Sequence, residues 1–380
     1  MIRLAEVAAL PVRNVAGLMT GTSMDGLDVA LCRITSEPLG FELLAFETVP
    51  MPVALRRSLE VERLADVGAI ARANAALGHW FADALADVLA RHPIELHLIG
   101  SHGQTVYHEH RVTTLQLGEP APLALRFGCP VVHDFRAHDI AAGGAGAPLV
   151  PYVDYRLLAG RGEGLLAVNI GGIANLTALP KTGSLDRVLG MDCGPGNMVL
   201  DQLVQIFSDG AQSYDLDGRL AARGRPTALL EELQRHPFFR QAPPKSAGRE
   251  QFGQAFVEHL LDRARPVGEQ QWCDLLATVA ELTAFGIEVA YRQHVAPSVP
   301  VDAVVVSGGG ARNPVVMARL AARFAPVPVG RSDDYGLPVD AKEAIAFAIL
   351  ASERIDQRPS NVPSVTGADR VVLLGKTTER

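Results

Sequence analysis

Three glycine-rich turns predict an α/β protein of two lobes. The first is Gly21-Thr22-Ser23-Met24-Asp25-Gly26-Leu27-Asp28, between apolar runs at 15–19 and 29–34. The second, Gly171-Gly172-Ile173-Ala174-Asn175, lies between runs at 165–170 and 176–179. Branched residues on both sides of a short Gly-, hydroxyl- or Asn-bearing turn read as β-hairpins. The third, Ser307-Gly308-Gly309-Gly310-Ala311-Arg312-Asn313-Pro314, follows a buried-type strand at 303–306 and precedes a helical pattern. Glycines let the backbone come close to a ligand, and successive N–H groups in such turns form anion-binding concavities. Two hairpins of this type far apart, plus a strand–glycine–helix element, point to one nucleotide held between two lobes. Taken singly, each turn also reads as a plain structural turn.

Composition supports two lobes and narrows the partners. A chain of 380 residues, 48% hydrophobic, can bury a sizeable core. Its formal charge of −7 and the lack of a long basic stretch speak against nucleic-acid binding. Cys32, Cys129, Cys193 and Cys273 show no CxxC spacing, and the set reads as reduced thiols in a cytoplasm. Residues 1–15 carry Arg3 and Glu6 without a sustained apolar run, so a signal peptide is not expected. No 18 residues are uninterruptedly apolar, so no membrane span is expected either.

The remaining elements follow in order. Residues 73–91 have helical apolar spacing, and the strand 96–100 ends at Ser101-His102-Gly103. A brief strand at 130–132 delivers His133-Asp134-Phe135-Arg136 to a loop. Polar residues just beyond strand ends face the ligand crevice of open α/β sheets, which puts His102, Gln104 and Arg136 near one cleft. Residues 141–147 are too rich in glycine and alanine for a strand and read as the crossing between lobes. The first lobe is therefore drawn as 1–140 and the second as 141–349. An amphipathic helix at 198–207 is expected to be capped by Asn197, and 219–239 carries further helical pattern. Polar, proline-containing 241–252 reads as an ordered loop or lid rather than core. Long buried helices are expected at 273–291 and 342–355, and an apolar run stands at 371–374.

The order of these elements resembles that of the actin/Hsp70/sugar-kinase superfamily, in which each lobe contributes a phosphate hairpin. A narrower resemblance rests on residues 21–28, Ser101-His102-Gly103-Gln104-Thr105, Asp134-Phe135-Arg136-Ala137-His138-Asp139, 141–151, 169–175, Asp192-Cys193-Gly194-Pro195-Gly196-Asn197, 243–250 and 307–314. From about residue 15 to about residue 350 these segments closely resemble anhydro-N-acetylmuramic acid kinase. The resemblance implies a two-lobed actin-like ATPase (sugar kinase) fold with a nucleotide and substrate cleft between lobes that close on ATP. It also implies that a C-terminal segment, about 350–380, returns to the first lobe, and that the protein is a cytoplasmic homodimer. The activity implied is ATP-dependent: water opens 1,6-anhydro-N-acetylmuramic acid, and O6 is phosphorylated to give N-acetylmuramic acid 6-phosphate and ADP in cell-wall recycling. An ordinary hexosamine kinase and a nucleotide-dependent switch or filament protein are the competing readings.

Asp192 is the candidate catalytic residue. It stands directly before a glycine–proline turn whose rigidity would hold a general base, or it merely caps that turn; the resemblance favours the base. Cys193 beside it has no activating partner in the sequence. Asp25 could anchor Mg²⁺, largely through water, and Asp28 could act similarly from a place nearer the next strand. Thr22 and Ser23, with the backbone through Gly21, Met24, Gly26 and Leu27, would hold phosphates. Gly171 and Gly172 would do so from the other lobe, and Gly308, Gly309 and Gly310 would approach the adenosine. Arg136 suits the sugar's lactyl carboxylate or the transferring phosphate, since a guanidinium binds either bidentately. His102, Gln104 and Thr105 offer neutral groups for sugar hydroxyls and the N-acetyl group. Glu343 resembles the family's substrate-contacting glutamate, or is a first-turn acid favoured by the helix dipole. His138 stands where a further arginine is expected, which would give weak pH sensitivity if it touched an acidic substrate. Gly375-Lys376-Thr377 is not a P-loop, His108-Glu109-His110 lacks HExxH spacing, and no G-x-S-x-G occurs.

Overall fold

The apolar runs flanking the first glycine turn fold as antiparallel strands β1 (Val12–Met19) and β2 (Gly26–Thr35). A computed structural model describes residues 3–21, 24–59, 66–243 and 245–380. Thr22 and Ser23, both expected phosphate ligands, therefore lie outside the described residues. The chain divides into two units, Met1–Leu157 with Ala341–Arg380, and Leu158–Asp340.

In the first unit β3 (Gly40–Pro50) extends the β1–β2 hairpin antiparallel, and β4 (Leu98–Ser101) lies parallel to β1. A separate hairpin of β5 (Gln104–Glu109) and β6 (Thr113–Leu117) follows. Then β7 (Val131–His133) runs parallel to β4. In the second unit β8 (Leu165–Ile170), β9 (Ile173–Leu179) and β10 (Leu189–Pro195) form an antiparallel meander. There β11 (Ala303–Ser307) is parallel to β8, and β12 (Val329–Arg331) is parallel to β11. At the C-terminus β13 (Lys376–Thr378) returns to the first sheet antiparallel to β7.

The sheet orders are β13-β7-β4-β1-β2-β3 and β10-β9-β8-β11-β12. Counting the sheet strands within each unit, both read third, second, first, fourth, fifth, and the first sheet adds β13 as a sixth. The two glycine hairpins thus belong to a repeat of five-stranded sheet order. A parallel strand after a meander needs a crossover, which the helix Val67–Arg91 supplies in the first unit. Its Asp66 N-cap accepts from the Ala69 amide, and Leu77, Phe81 and Leu85 bury at i, i+4 spacing against Leu18, Val29 and Leu31. Successive strand residues face opposite sides, so Gly17 of β1 and Gly100 of β4 meet the helix Lys342–Ile355 instead. Cβ atoms there would come within 1.9 and 2.2 Å of the carbonyl oxygens of Ala344 and Phe347. Only glycine permits so close a helix.

The second core is built on the helix Glu269–His294, whose Leu276, Val279, Ala280 and Ile287 pack with Leu166, Val168, Leu176, Val304 and Val306. Where it crosses β10, a Cβ on Gly286 would stand 2.6 Å from the Cys193 carbonyl oxygen.

Several expectations need correction. The units divide after Leu157 and after Asp340, rather than at 140/141 and near 350. Residues 141–157 stay with the first unit because Asp139 accepts from the Gly146 amide, the Asn361 amide group and the Thr366 hydroxyl. The pattern at 219–239 yields only short helical pieces, with Leu229–Leu233 the longest. Gly224, Pro226 and Pro237 interrupt the rest. Asn197 does not cap its helix: Asn197–Phe207 begins with it, and its side chain donates to the Ile170 carbonyl. The apolar run 371–374 forms no strand. Among the described residues, no helix is long and apolar enough to cross a membrane.

Candidate active site

Asp192 sits in β10 opposite Asn175 of β9, where a register shift between Asp192 and Gly194 makes Cys193 an extra residue. A bulge kinks a strand and re-aims its side chains. Gly194 completes it with φ +138°, and a Cβ there would strike the Phe239 ring at 2.8 Å. The Asp192 Oδ2 accepts from the Ala247 amide at 2.8 Å. Burial outweighs that bond and the nearby Lys245 charge, so the carboxyl is pushed up to about 7. A base poised near neutrality is what proton abstraction at physiological pH needs. The Cys193 thiol is buried and pushed far up, and stays protonated.

The segment expected to be a loop or lid is partly core. Lys245 is 8% exposed and Phe252 fully buried. Pro244, within this stretch, lies outside the described residues. Residues 243–250 carry part of the family resemblance, but nothing in the sequence sets Lys245 or the Ala247 amide beside Asp192, because only folding brings them to β10.

The second glycine turn and the third glycine cluster come together in the same unit. The carbonyls of Gly171 and Gly172 accept from the amides of Asn197 (2.7 Å), Gly196 (3.0 Å) and Met198 (3.2 Å). Cβ atoms on Gly308 and Gly310 would lie 2.6 Å from Asn169 Oδ1 and 2.2 Å from Ile170 Cγ2. Packing on the tip of β8 thus requires both glycines, and Gly308 also needs its φ of +77°. Gly171 differs: a Cβ there meets nothing closer than 3.8 Å, so no protein neighbour demands glycine. Room of that kind fits a nucleotide phosphate brought against the backbone.

In the first unit Met24 takes φ +58°, and the Met51 amide donates to the Asp25 carbonyl. The Asp25 side chain is exposed. Leu27 and Gly26 are buried, and the Thr48 hydroxyl donates to Asp28 Oδ1 at 2.6 Å. Among the described residues, no three His, Cys, Asp or Glu side chains gather as a metal cage.

Behind this turn lies a second cluster. Arg136 Nε and Nη2 donate to His102 Nε2 at 3.1 and 2.9 Å, and Nη1 donates to the Gly146 carbonyl. His102 Nε2 is therefore the acceptor nitrogen. Burial and the guanidinium hold the imidazole well below its usual range, so it is neutral. Burial lowers Arg136 to about 10, still charged at neutral pH. Glu343 is close enough to feel Arg136 and Asp28; burial raises its carboxyl while Arg136 opposes the rise. Beside it Lys342 makes a buried ion pair with Asp154 at 2.8 Å.

Two of the expected sugar ligands also bond within the protein. Gln104 Nε2 donates to the Gly21 carbonyl at 3.2 Å, tying the first glycine turn to β5, and the Thr105 hydroxyl accepts from Gln116. Among the described residues, the Gln104 Oε1 is buried with no partner. His138 is half-buried, and burial with the Arg354 charge lowers it from the ordinary histidine value.

A family model described as Anhydro-N-acetylmuramic acid kinase matches residues 13–380. A relative of that name from Caldanaerobacter subterraneus subsp. tengcongensis is 41% identical over 99% of both chains. Another, from Cyanothece sp., is 44% identical over 96% of this chain and 98% of its own. Among solved structures, a ROK family glucokinase from Streptomyces griseus in complex with glucose and AMPPNP is similar at TM-score 0.40. It is 15% identical and covers 90% of this chain and 99% of its own.

Proposed function

Because the chain belongs to the anhydro-N-acetylmuramic acid kinase family, we propose that Asp192 is the general base of an ATP-dependent kinase that opens and phosphorylates 1,6-anhydro-N-acetylmuramic acid. The observation that carries the reading is the family match over residues 13–380, joined to a carboxyl poised near 7 on a rigid bulge.

In this substrate O6 is locked into the acetal with C1. Asp192 takes a proton from a water as its oxygen attacks C1, and the C1–O6 bond breaks. The freed O6 then attacks the γ-phosphorus of ATP, giving N-acetylmuramic acid 6-phosphate and ADP. One carboxylate suffices because the leaving oxygen is itself the acceptor of the phosphoryl group. On this reading Arg136, oriented by neutral His102, receives the lactyl carboxylate, and Glu343 meets a sugar hydroxyl. Gly171 and Gly172 present backbone to the phosphates, as do residues 21–28, and Gly308, Gly309 and Gly310 lie toward the adenosine. Bound at Asp25, Mg²⁺ would supply neutralising charge on phosphate oxygens. The two units are then the two lobes of the kinase. The protein acts in the cytoplasm on cell-wall fragments, as a homodimer.

The test is an ADP-release assay with Mg²⁺-ATP, offering the anhydro sugar and, separately, N-acetylglucosamine. ADP only with the anhydro sugar, and a product heavier by phosphate plus water, is the expected result. Turnover of N-acetylglucosamine alone would overturn the substrate.

A further inference from the structure

The mechanism above leaves Lys245 unused, although it is a charged side chain only 8% exposed. Its ammonium stands 4.6 Å from the centre of the Phe238 ring, and its one hydrogen bond among the described residues is a long 3.4 Å contact to the Phe238 carbonyl. A buried ammonium held by a ring face and one carbonyl is poorly solvated. The Lys245 carbonyl accepts from the Asp192 amide at 3.5 Å, and two residues on the same segment delivers the Ala247 amide that donates to Asp192 Oδ2.

We propose that Lys245 is a positioning residue for Asp192: its segment fixes the carboxylate through Ala247, and its buried cation favours the carboxylate's ionised form. The inference rests on Asp192 as the base, but its own test does not depend on turnover. The charges facing Asp192 are few. Lys245 acts to keep it ionised, Glu250 acts against that, and the neighbouring Cys193 thiol is protonated. His294, on the long helix, is lowered by burial and by the Lys245 charge. Lys245 is thus the cation acting on the Asp192 carboxyl, and its own proton affinity is lowered by burial, as a poorly solvated ammonium's should be.

The ionisation midpoint of Asp192 is read from the pH dependence of the melting-temperature difference between a protein and its Asp192→Asn counterpart. Measuring this pair in the wild-type and Lys245→Met backgrounds should show the midpoint moving up by about one pH unit when the cation is lost. The acid limb of kcat/KM should move with it, and Lys245→Arg should restore most of the shift. Lys245→Gln, which keeps a donor for the Phe238 carbonyl but no charge, should behave as the Met variant and replaces it if that fails to fold. An unmoved midpoint in the uncharged variants would overturn the inference. Full turnover in Asp192→Asn would instead sink the base assignment and leave the midpoint measurement standing.

Discussion

The Asp192 carboxylate accepts a 2.8 Å hydrogen bond from the amide of Ala247, 55 residues further along the chain. The donor lies in a segment whose polar composition reads as surface, and its amide is committed to β10. The candidate base is therefore positioned by a strand bulge on one side and by a strap of later sequence on the other.

Replacing Asp192 with asparagine should lower turnover by about 10²–10⁴-fold, the usual contribution of a general base. ATP affinity should be nearly unchanged, because asparagine keeps the size of the side chain and removes only its ability to take a proton. Turnover and nucleotide titration on one preparation check both halves; near-normal turnover removes Asp192 from the mechanism.

The same carboxyl makes stability depend on pH with a defined sign. Its folded-state value is raised to about 7, above the ordinary aspartate range. The stability it contributes is full below the unfolded value and is lost as pH rises through about 7. Asp192→Asn should therefore melt higher than wild type at pH 8, on the order of 1–2 kcal/mol after allowance for partial exposure. The gap should vanish near pH 4. Melting curves at the two pH values decide it, and a constant gap would contradict the raised value. In wild type, kcat/KM should rise with pH through the same midpoint, because the ionised form is the base.

Gly171 and Gly308 should respond oppositely to alanine. At Gly171 the protein leaves room, so Gly171→Ala should keep its melting temperature while ATP binds about tenfold or more weakly, the cost of intruding on a phosphate contact. Gly308→Ala adds a Cβ 2.6 Å from Asn169 Oδ1 at φ +77°, and should lose roughly 1–3 kcal/mol of stability. Equal loss of stability in both would argue that Gly171 is structural too.

His102 supplies the acceptor that orients Arg136. His102→Leu should raise KM for the anhydro sugar about tenfold, by loosening that guanidinium, with a smaller change in kcat. Because burial and the Arg136 charge hold His102 well below its usual range, and burial lowers His138 as well, wild-type KM for the sugar should be flat from pH 6 to 8. A KM that climbs across that range would show a titrating histidine at the substrate.

Asp139 accepts three buried hydrogen bonds, from Gly146, Asn361 and Thr366. Asp139→Ala would strand these donors and should cost about 2–4 kcal/mol. A thermal melt reads the loss directly, and an unchanged melting temperature would mean water replaces the carboxylate without penalty.

Local chemistry carried much of this molecule in its sequence. Glycine turns between branched runs fixed both hairpins, and apolar periodicity gave the helix Lys342–Ile355 to the residue. Segment motifs carried the family and pointed to Asp192, Arg136, His102 and Glu343. Tertiary structure decided what depends on neighbours distant in sequence. Gly17 and Gly100 are glycines because a C-terminal helix lies against them. Residues 141–157 belong to the first unit because Asn361 and Thr366 reach back to Asp139. Gln104 is committed to the Gly21 carbonyl, and Lys245 is buried beside Phe238. Periodicity reports which face of an element is apolar, but burial, charge state and spent hydrogen bonds exist only once separate segments meet.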